Sequence, residues 1–226
     1  MLSEESDKIV TAIVRSADEI WRLRTFQALR YQDSGLVPSA VDTLASPDPF
    51  IDRSTYFGCY DQTSEPLGTC RLISAPNDEL PVFTDFSLFP AARAMLMDND
   101  CHVSEVSRVA VSQKAPLFDV LASLVREMLR FTVETGQHSI CVAAIEPSLM
   151  RIITQLFDMP CVVLGEMRED YYSTDNYPVM IDTIRYLSQR NHRNQRMWQW
   201  FTSDLLIDLT DSSREPLPLD QLRSAS

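Results

Sequence analysis

The sequence lacks the arrangements typical of a metal site, a nucleotide-binding loop or a membrane span. Its five cysteines are scattered, and no Cys-x-x-Cys pair or mixed cysteine–histidine spacing occurs, so we expect no metal. It has neither a Gly-x-Gly-x-x-Gly fingerprint nor a P-loop, and its three histidines offer no catalytic triad in a nucleophile-like turn. No apolar run approaches the ~20 residues of a transmembrane helix, so we expect no integral membrane span.

The composition indicates an ordinary globular protein with an acidic surface. The chain has 226 residues, 45% of them hydrophobic, and a formal net charge of −12. This length and hydrophobic fraction suit one domain with a full core. The negative charge argues against nucleic acid as a partner. The polar, acidic N-terminus is unlike a signal peptide, and the odd number of cysteines suits a reducing compartment, so we expect a cytoplasmic protein.

Hydrophobic periodicity predicts a mixed α/β layout in which helices alternate with strands. We expect a helix over residues 5–32, continuous or broken once, hairpin strands within 56–73, a buried strand at 103–111, a long helix at 116–135 and a further strand at 138–145. We also expect a helix over 182–201. The predicted divisions are one main α/β domain at 1–182, a basic and aromatic C-terminal helix packing on it at 183–210, and a disordered tail at 211–226.

The strand at 103–111 carries two charged side chains, Glu105 and Arg108. Burying a charged side chain inside a strand costs free energy unless the charge is paired with an opposite charge or serves binding or catalysis. One interpretation is an ion pair that only fixes strand register, and the other is a catalytic site. Because residues three apart face opposite sides of a regular strand, both can serve one pocket only if the strand is irregular. We therefore predict a β-bulge between Ser104 and Val109.

Glu105-Val106-Ser107-Arg108 resembles the Glu-x-Ser-Arg signature of acyl-homoserine-lactone synthases and long-chain N-acyl amino acid synthases. Both families are variants of the GCN5-related N-acyltransferase fold. The resemblance implies a central twisted mixed sheet flanked by helices, with a V-shaped cleft at the central strand. It covers roughly residues 15–180 and includes three further segments: Arg22-Leu23-Arg24 with Phe26 and Tyr31, the acidic loop Asp48 to Ser54, and Gly68-Thr69-Cys70-Arg71-Leu72.

The resemblance implies transfer of a fatty acyl group from a thioester to an amine, with the acyl thioester as co-substrate and no other cofactor. Glu105 would bind the ammonium and take its proton, and Ser107 and Arg108 would complete the catalytic set. A guanidinium, from Arg71 or Arg108, would hold the carboxylate of an amino acid acceptor. The residues expected on the acceptor side are Arg71, Arg24, Asp52 and Phe26, with the choice between Arg24 and Arg22 open.

The acyl donor would lie where the central strand ends and the next helix begins. Backbone N–H groups at such a corner can bind phosphate or the amides of pantetheine. The connecting loop lacks the glycines of nucleotide-binding acetyltransferases, which favours an acyl carrier protein over coenzyme A. The expected donor-binding residues are Val109, Val111, Ser112, Gln113 and Lys114.

A basic segment near the C-terminus has no acidic residue between Thr183 and Phe201. One interpretation is a solvated helix face, and the other is a docking surface for the acidic acyl carrier protein. The arginines concerned are Arg185, Arg190, Arg193 and Arg196.

Three functions stay open at this point. The first is synthesis of an N-acyl amino acid from a small-molecule amine. The second is autoinducer synthesis, in which S-adenosylmethionine is the amine and a lactone is released. The third is an inactive relative that serves as a binding protein. The four-residue spacing of Asp48 and Asp52, and Leu36 where the lactone synthases have an aromatic residue, favour the first.

Overall fold

The structure is a computed structural model that describes residues 9–97, 102–136, 140–189, 192–203 and 205. Short 3-10 turns occupy Ile51–Arg53 and Asn77–Glu79, and a π-helical turn occupies Ile152–Leu156. The helices and strands, in chain order, are β1 Val10–Val14, α1 Ala17–Asp33, α2 Ala40–Ala45, β2 Ser54–Tyr60, β3 Pro66–Ile73, α3 Pro81–Asp85, α4 Pro90–Leu96, β4 Val103–Val111, α5 Leu117–Thr135, β5 Ile140–Ile145, α6 Pro147–Arg151, β6 Val162–Val163, β7 Arg168–Tyr171, β8 Thr174–Asp182, α7 Thr183–Ser188 and α8 Gln195–Thr202.

The strands form a mixed, mostly antiparallel sheet in the order β1-β2-β3-β4-β5-β8-β6, with β7 paired to β8. The pairs β1–β2, β2–β3, β5–β8 and β6–β8 are antiparallel. Strand β4 pairs with β5 in parallel from Val103 to Glu105. A mixed α/β class with a central sheet and flanking helices is therefore confirmed.

By contacts the chain divides into two compact units. The first unit comprises Met1–Ser74, Val106–Met128 and Tyr172–Thr174. The second unit comprises Ala75–Glu105, Leu129–Tyr171 and Asp175–Ser226.

In the first unit the predicted helix over 5–32 is wrong at its N-terminal end. Residues Val10–Val14 form a strand that pairs along its whole length with β2. Helix α1 starts only after Ser16, whose hydroxyl accepts a hydrogen bond from the N–H of Glu19 at 3.3 Å and so caps the helix. The spacing of Ile9 and Ile13 also fits a strand that is buried on one side only, and the available partner strand decides the outcome.

Helix α5 packs closely on β3 in the same unit. A Cβ on Gly68 would lie 2.4 Å from Cγ1 of Val120 and 3.3 Å from the carbonyl oxygen of Ala110. A side chain at this position would therefore force the helix off the strand. The glycine lets β3 lie directly under the apolar face of α5, which the sequence predicted as a helix.

The second unit has an aromatic core beside its own strands. The rings of Tyr186, Phe157 and Phe201 are almost fully buried, and the Phe157 and Phe201 rings meet edge to face with centroids 5.5 Å apart. The hairpin of β7 and β8 was not predicted, because its exposed strand β7, Arg168–Tyr171, is polar and has no apolar alternation.

The predicted continuous helix over 182–201 is wrong, because α7 ends at Ser188 and α8 begins at Gln195. The side chain of Asp158 accepts hydrogen bonds from the N–H groups of Arg193 and Asn194, at 2.5 and 3.3 Å, which draws this backbone out of helical geometry. Asn194 then caps α8 by accepting from the N–H of Met197. The predicted tail at 211–226 lies outside the described residues.

Candidate functional site

The backbone of β4 departs from regular strand geometry inside the range predicted for a bulge. Arg108 has a φ of +54°, in the left-handed region that costs a residue with a side chain about 1–3 kcal/mol. Neighbouring residues of a regular strand point to opposite faces. Here the side chains of Ser107 and Arg108 reach the same cluster of charges, and we attribute this to the left-handed turn at Arg108.

Asp48 is the centre of that cluster, in the first unit. Its Oδ2 accepts a hydrogen bond from Nη1 of Arg71 at 2.7 Å and lies 3.2 Å from Nη2 of Arg108. Arg71 also donates from Nε to Oγ of Ser107 at 2.8 Å. The side chains of Arg71 and Asp48 are only 6% and 2% exposed, so this is a buried ion pair.

The charges around Asp48 decide its protonation state. Burial alone would raise the pKa of its carboxyl, but the hydrogen bond and charge of Arg71 and the charge of Arg108 more than offset burial. The pKa of Asp48 therefore lies below its usual value, and the group is a fixed anion. Burial and the neighbouring charge of Arg71 lower the pKa of Arg108, although Asp48 opposes this.

The loop before β2 presents Asp48 to the arginines. Oδ1 of Asp48 accepts from the N–H of Phe50 at 3.2 Å, which closes a local turn of the kind that aspartate favours. The ring of Phe50 lies under two guanidinium groups, with Cζ of Arg71 6.0 Å and Cζ of Arg53 5.3 Å from its centroid. The apolar ring thus packs against the flat side of the ion pair.

A narrow pocket adjoins this cluster within the first unit. Arg24 and Gln27 reach it from α1, where residues three apart share a face. Tyr56 reaches it from β2 and Arg108 from β4. The full lining consists of Leu23, Arg24, Gln27, Tyr56, Thr69, Cys70 and Arg108. Of the two arginines that the sequence left open, Arg24 lines this pocket, whereas Arg22 is exposed and pairs with Glu65 at 3.2 Å.

Three polar side-chain atoms of the pocket are buried and have no hydrogen-bond partner among the described residues: Nε of Arg24, Oε1 of Gln27 and the hydroxyl of Tyr56. Leaving such groups unpaired costs free energy, and proteins seldom do so. Among the residues that the structure describes, the cluster is also unbalanced in charge, since Arg24, Arg71 and Arg108 stand against the carboxylate of Asp48. The arrangement is therefore suited to an anionic ligand.

Tyr31, on the same helix as Arg24, lies close to the arginines. Burial raises the pKa of its hydroxyl to about 12, although the charges of Arg108 and Arg71 lower it. Its ring meets the ring of Tyr172 edge to face at 6.4 Å. Sequence reasoning noted Tyr31 as an aromatic residue of the first helix but missed Gln27 and Tyr56. The one available signal was that Gln27 stands one turn after Arg24.

Glu105 belongs to the second unit, where it is 2% exposed. One carboxylate oxygen accepts a hydrogen bond from the backbone N–H of Val82 at 2.8 Å. Val82 lies in the first turn of α3, whose N–H groups favour a negative charge. A backbone amide thus orients the carboxylate of Glu105. This contact does not test whether Glu105 acts as a base, and that role stays a prediction.

The remaining predicted acceptor residues are placed differently. Asp52 is exposed in the turn Ile51–Arg53, and Phe26 is half-buried on α1. Within the described residues no hydrogen bond or ion pair joins Asp52 to the arginine cluster, whose acid is Asp48. Both assignments stay predictions.

The predicted donor-binding residues follow one another at the end of β4. Val109, Val111 and Ser112 are half-buried, and the N–H of Ser112 donates to the carbonyl oxygen of Leu67 at 2.8 Å. Gln113 and Lys114 are exposed in the turn that leads to α5. This assignment also stays a prediction.

The arginines predicted to dock a carrier protein have different surroundings. Arg193 is exposed and lies against Asp158 and the carbonyl oxygen of Thr154, which its Nη2 contacts at 3.1 Å. Arg196 is exposed, Arg185 is half-buried, and Arg190 lies outside the described residues.

Within the described part of the chain no helix has the length and apolar character to cross a membrane, and no His, Cys, Asp and Glu side chains group as metal ligands.

Comparison with known proteins identifies one family for most of the chain. The sequence model of the family "N-acyl amino acid synthase FeeM" matches residues 21–182. A search of curated proteins gives no match.

Solved structures agree at the level of the fold. FeeM, an N-acyl amino acid synthase from uncultured soil microbes, is 18% identical, with 83% of this chain and 97% of that chain covered and a TM-score of 0.61. The acyl-homoserine-lactone synthase LasI is 16% identical over 77% of this chain and 90% of its own, with a TM-score of 0.57. BjaI, a coenzyme A-dependent acyl-homoserine-lactone synthase, is 16% identical over 86% of each chain, with a TM-score of 0.56.

Proposed function

Since this chain belongs to the FeeM family of N-acyl amino acid synthases, and is therefore an acyltransferase, we propose that it joins a fatty acyl group to the amine of an α-amino acid. The observation that carries this proposal is the buried excess of guanidinium groups around Asp48. The α-carboxylate of an amino acid would supply the missing negative charge. S-adenosylmethionine would bring a sulfonium cation as well, which the same cluster would repel.

The proposed reaction forms one C–N bond and breaks one C–S bond. The acceptor's neutral amine attacks the thioester carbonyl, the thiolate leaves, and the proton lost by the amine balances the charge of the thiolate. Glu105 is the proposed base for that proton, directly or through water. Its hydrogen bond from the N–H of Val82 fixes the orientation of the carboxylate. Backbone N–H groups of β4 are the proposed donors to the developing oxyanion.

Arg71 has a different proposed role from the acceptor contact expected from sequence. Its Nε and Nη1 already donate to Ser107 and Asp48. We assign it to positioning, because it joins β3, β4 and the loop of Asp48 into one rigid wall. Arg108 has a side chain that is 25% exposed and so stays available for a substrate carboxylate.

Acyl carrier protein is the proposed donor, with acyl-coenzyme A as the alternative. The exposed guanidinium groups of Arg193 and Arg196 suit an acidic protein surface.

A cytoplasmic location is part of this proposal. The thiols of Cys59 and Cys141 are free and buried, and burial raises the pKa of each to about 11, which suits a reducing environment and a structural role.

The test is a product assay with purified protein. Decanoyl- and tetradecanoyl-carrier protein, and the matching coenzyme A thioesters, are each incubated with pooled L-amino acids or with S-adenosylmethionine. Mass spectrometry should detect an N-acyl amino acid and release of the free thiol. Formation of an acyl lactone with methylthioadenosine would instead establish autoinducer synthesis. Absence of every product with intact donors would support a binding protein without catalysis.

A further inference from the structure

We propose that Arg24, Gln27 and Tyr56 form the site that binds the polar head group of the acceptor, and that the side chain of Arg108 moves to admit it. This inference rests on the proposed function and deepens it. It adds two specificity-determining residues, Gln27 and Tyr56, to the charged residues that the sequence indicated. The ligand class is an amine that carries a carboxylate on the neighbouring carbon.

The first argument is the location of the unpartnered atoms. Arg24, Gln27 and Tyr56 are 7%, 3% and 2% exposed, and each leaves one polar atom without a hydrogen bond. All three side chains line the same pocket. A buried polar atom without a partner is rare in proteins, and three in one pocket indicate that the partner is a ligand.

The second argument is the chemistry of those atoms. Nε of Arg24 can only donate, Oε1 of Gln27 can only accept, and the hydroxyl of Tyr56 can do either. A carboxylate would accept from Arg24 and Tyr56, and an N–H group beside it would donate to Gln27. An α-amino acid presents both groups on one carbon. Its acylated product keeps the carboxylate and one N–H, so the same contacts would hold the product.

The third argument is that the neighbouring polar groups are already bonded. Arg71 is bonded to Asp48 and Ser107, as described above. The hydroxyl of Thr69 donates to the carbonyl oxygen of Phe57 at 3.0 Å. Arg71 and Thr69 thus hold the side of the pocket in place. The side chains left to bind the ligand are those of Arg24, Gln27 and Tyr56.

Room for the ligand must come from movement. In the structure the pocket has no void large enough for a water molecule. Of the three side chains joined in the ion-pair cluster, that of Arg108 is 25% exposed, whereas those of Asp48 and Arg71 are 2% and 6% exposed. Arg108 therefore has the freedom to swing aside and to close again on the carboxylate. Its contact with Asp48, at 3.2 Å, is the one that breaks.

The test uses two near-isosteric variants, Tyr56→Phe and Gln27→Met. Each removes a group that has no partner in the free protein, so the melting temperature should stay the same or rise. Each also removes a contact to the acceptor, so KM for the amino acid should rise about tenfold, as expected for a lost hydrogen bond to a charged group. KM for the acyl donor should not change.

A matched control is Tyr186→Phe in the second unit. The Tyr186 hydroxyl is equally buried but donates to the carbonyl oxygen of Phe157 at 2.9 Å. Loss of that bond should lower the melting temperature by about 2–4 °C and leave KM for the amino acid unchanged. The same chemical change should thus have opposite consequences at the two tyrosines.

Wild-type KM values for the amino acid in both Tyr56→Phe and Gln27→Met would overturn the inference, whether or not acyl transfer stands. If the wild type makes no product, the proposed function fails, and binding decides the inference. The probes are then N-dodecanoyl-L-phenylalanine and its methyl ester in a thermal-shift assay. The acid should stabilise the wild type more than either variant. Equal stabilisation of all three proteins, or by acid and ester alike, would contradict the site.

Discussion

Two buried carboxylates, Asp48 and Glu105, have different partners, and the proposed function gives them different roles. Asp48 is held by the guanidinium groups of Arg71 and Arg108. Glu105 accepts from the backbone N–H of Val82. Because the two cations keep the pKa of Asp48 below its usual value, Asp48 is a poor proton acceptor. The lowered pKa assigns a structural role to Asp48, and in the proposed function Glu105 takes the proton.

The largest expected effect on stability is that of Asp48→Asn. The amide keeps the shape of the side chain but leaves Arg71 and Arg108 without a counter-charge in a buried site. Breaking a buried pair in this way costs about 3–5 kcal/mol. Urea unfolding should show the loss as a lower midpoint with an unchanged slope. A midpoint equal to that of the wild type would show that the pair is not structural.

A smaller loss is expected for Arg71→Met. The variant removes the hydrogen bonds to Asp48 and Ser107 but leaves Arg108 beside Asp48, so we expect about 1.5–3 kcal/mol. In the double variant with Asp48→Asn the two losses should not add, since they remove one shared interaction. Additive losses would mean that the contact between them contributes little.

The lowered pKa of Asp48 should also determine how stability depends on pH. A carboxyl whose pKa is lower in the folded protein contributes stability above its unfolded pKa, and this stability is lost as the pH falls through the folded pKa. The Asp48 contribution should therefore be constant above about pH 5 and decline below about pH 4. Unfolding free energies of the wild type and Asp48→Asn should converge on acidification. A constant difference between them would contradict the lowered pKa.

The smallest effect is that of Ser107→Ala, which removes the acceptor for Nε of Arg71. One such bond is worth about 1 kcal/mol. Cysteine at the same position, as a weak acceptor, should restore part of the loss. Identical urea midpoints for the wild type and the alanine variant would show that Ser107 does not position Arg71.

Residue patterns predicted the long periodic elements and the charged members of the site. Helix α5 and the hairpin of β2 and β3 have strong local patterns. Arg108 was noticed because a charge inside a buried strand is costly, and the resemblance indicated Arg24 and Arg71. The strand β1 was mistaken for a helix because only its pairing with β2 distinguishes the two. The break after α7 depends on Asp158, which is distant in sequence.

The polar walls of the pocket could not be predicted for a related reason. Gln27 and Tyr56 are ordinary residues of a helix and a strand. They matter because each has a buried polar atom with no hydrogen-bond partner among the described residues. This becomes visible only once the packing of α1 against β2 and β3 is known. Asp48 could be suspected from sequence alongside Asp52, but the choice between them needed the contact with Arg71.

The most direct test of the assignment is the rate of N-acyl amino acid formation by Glu105→Gln, with Asp48→Asn measured alongside. The amide introduced by Glu105→Gln keeps an oxygen for the N–H of Val82, so the melting temperature should stay near that of the wild type. Loss of a general base should lower kcat about 10²–10⁴-fold. A Glu105→Gln enzyme that turns over at more than half the wild-type rate would contradict the account.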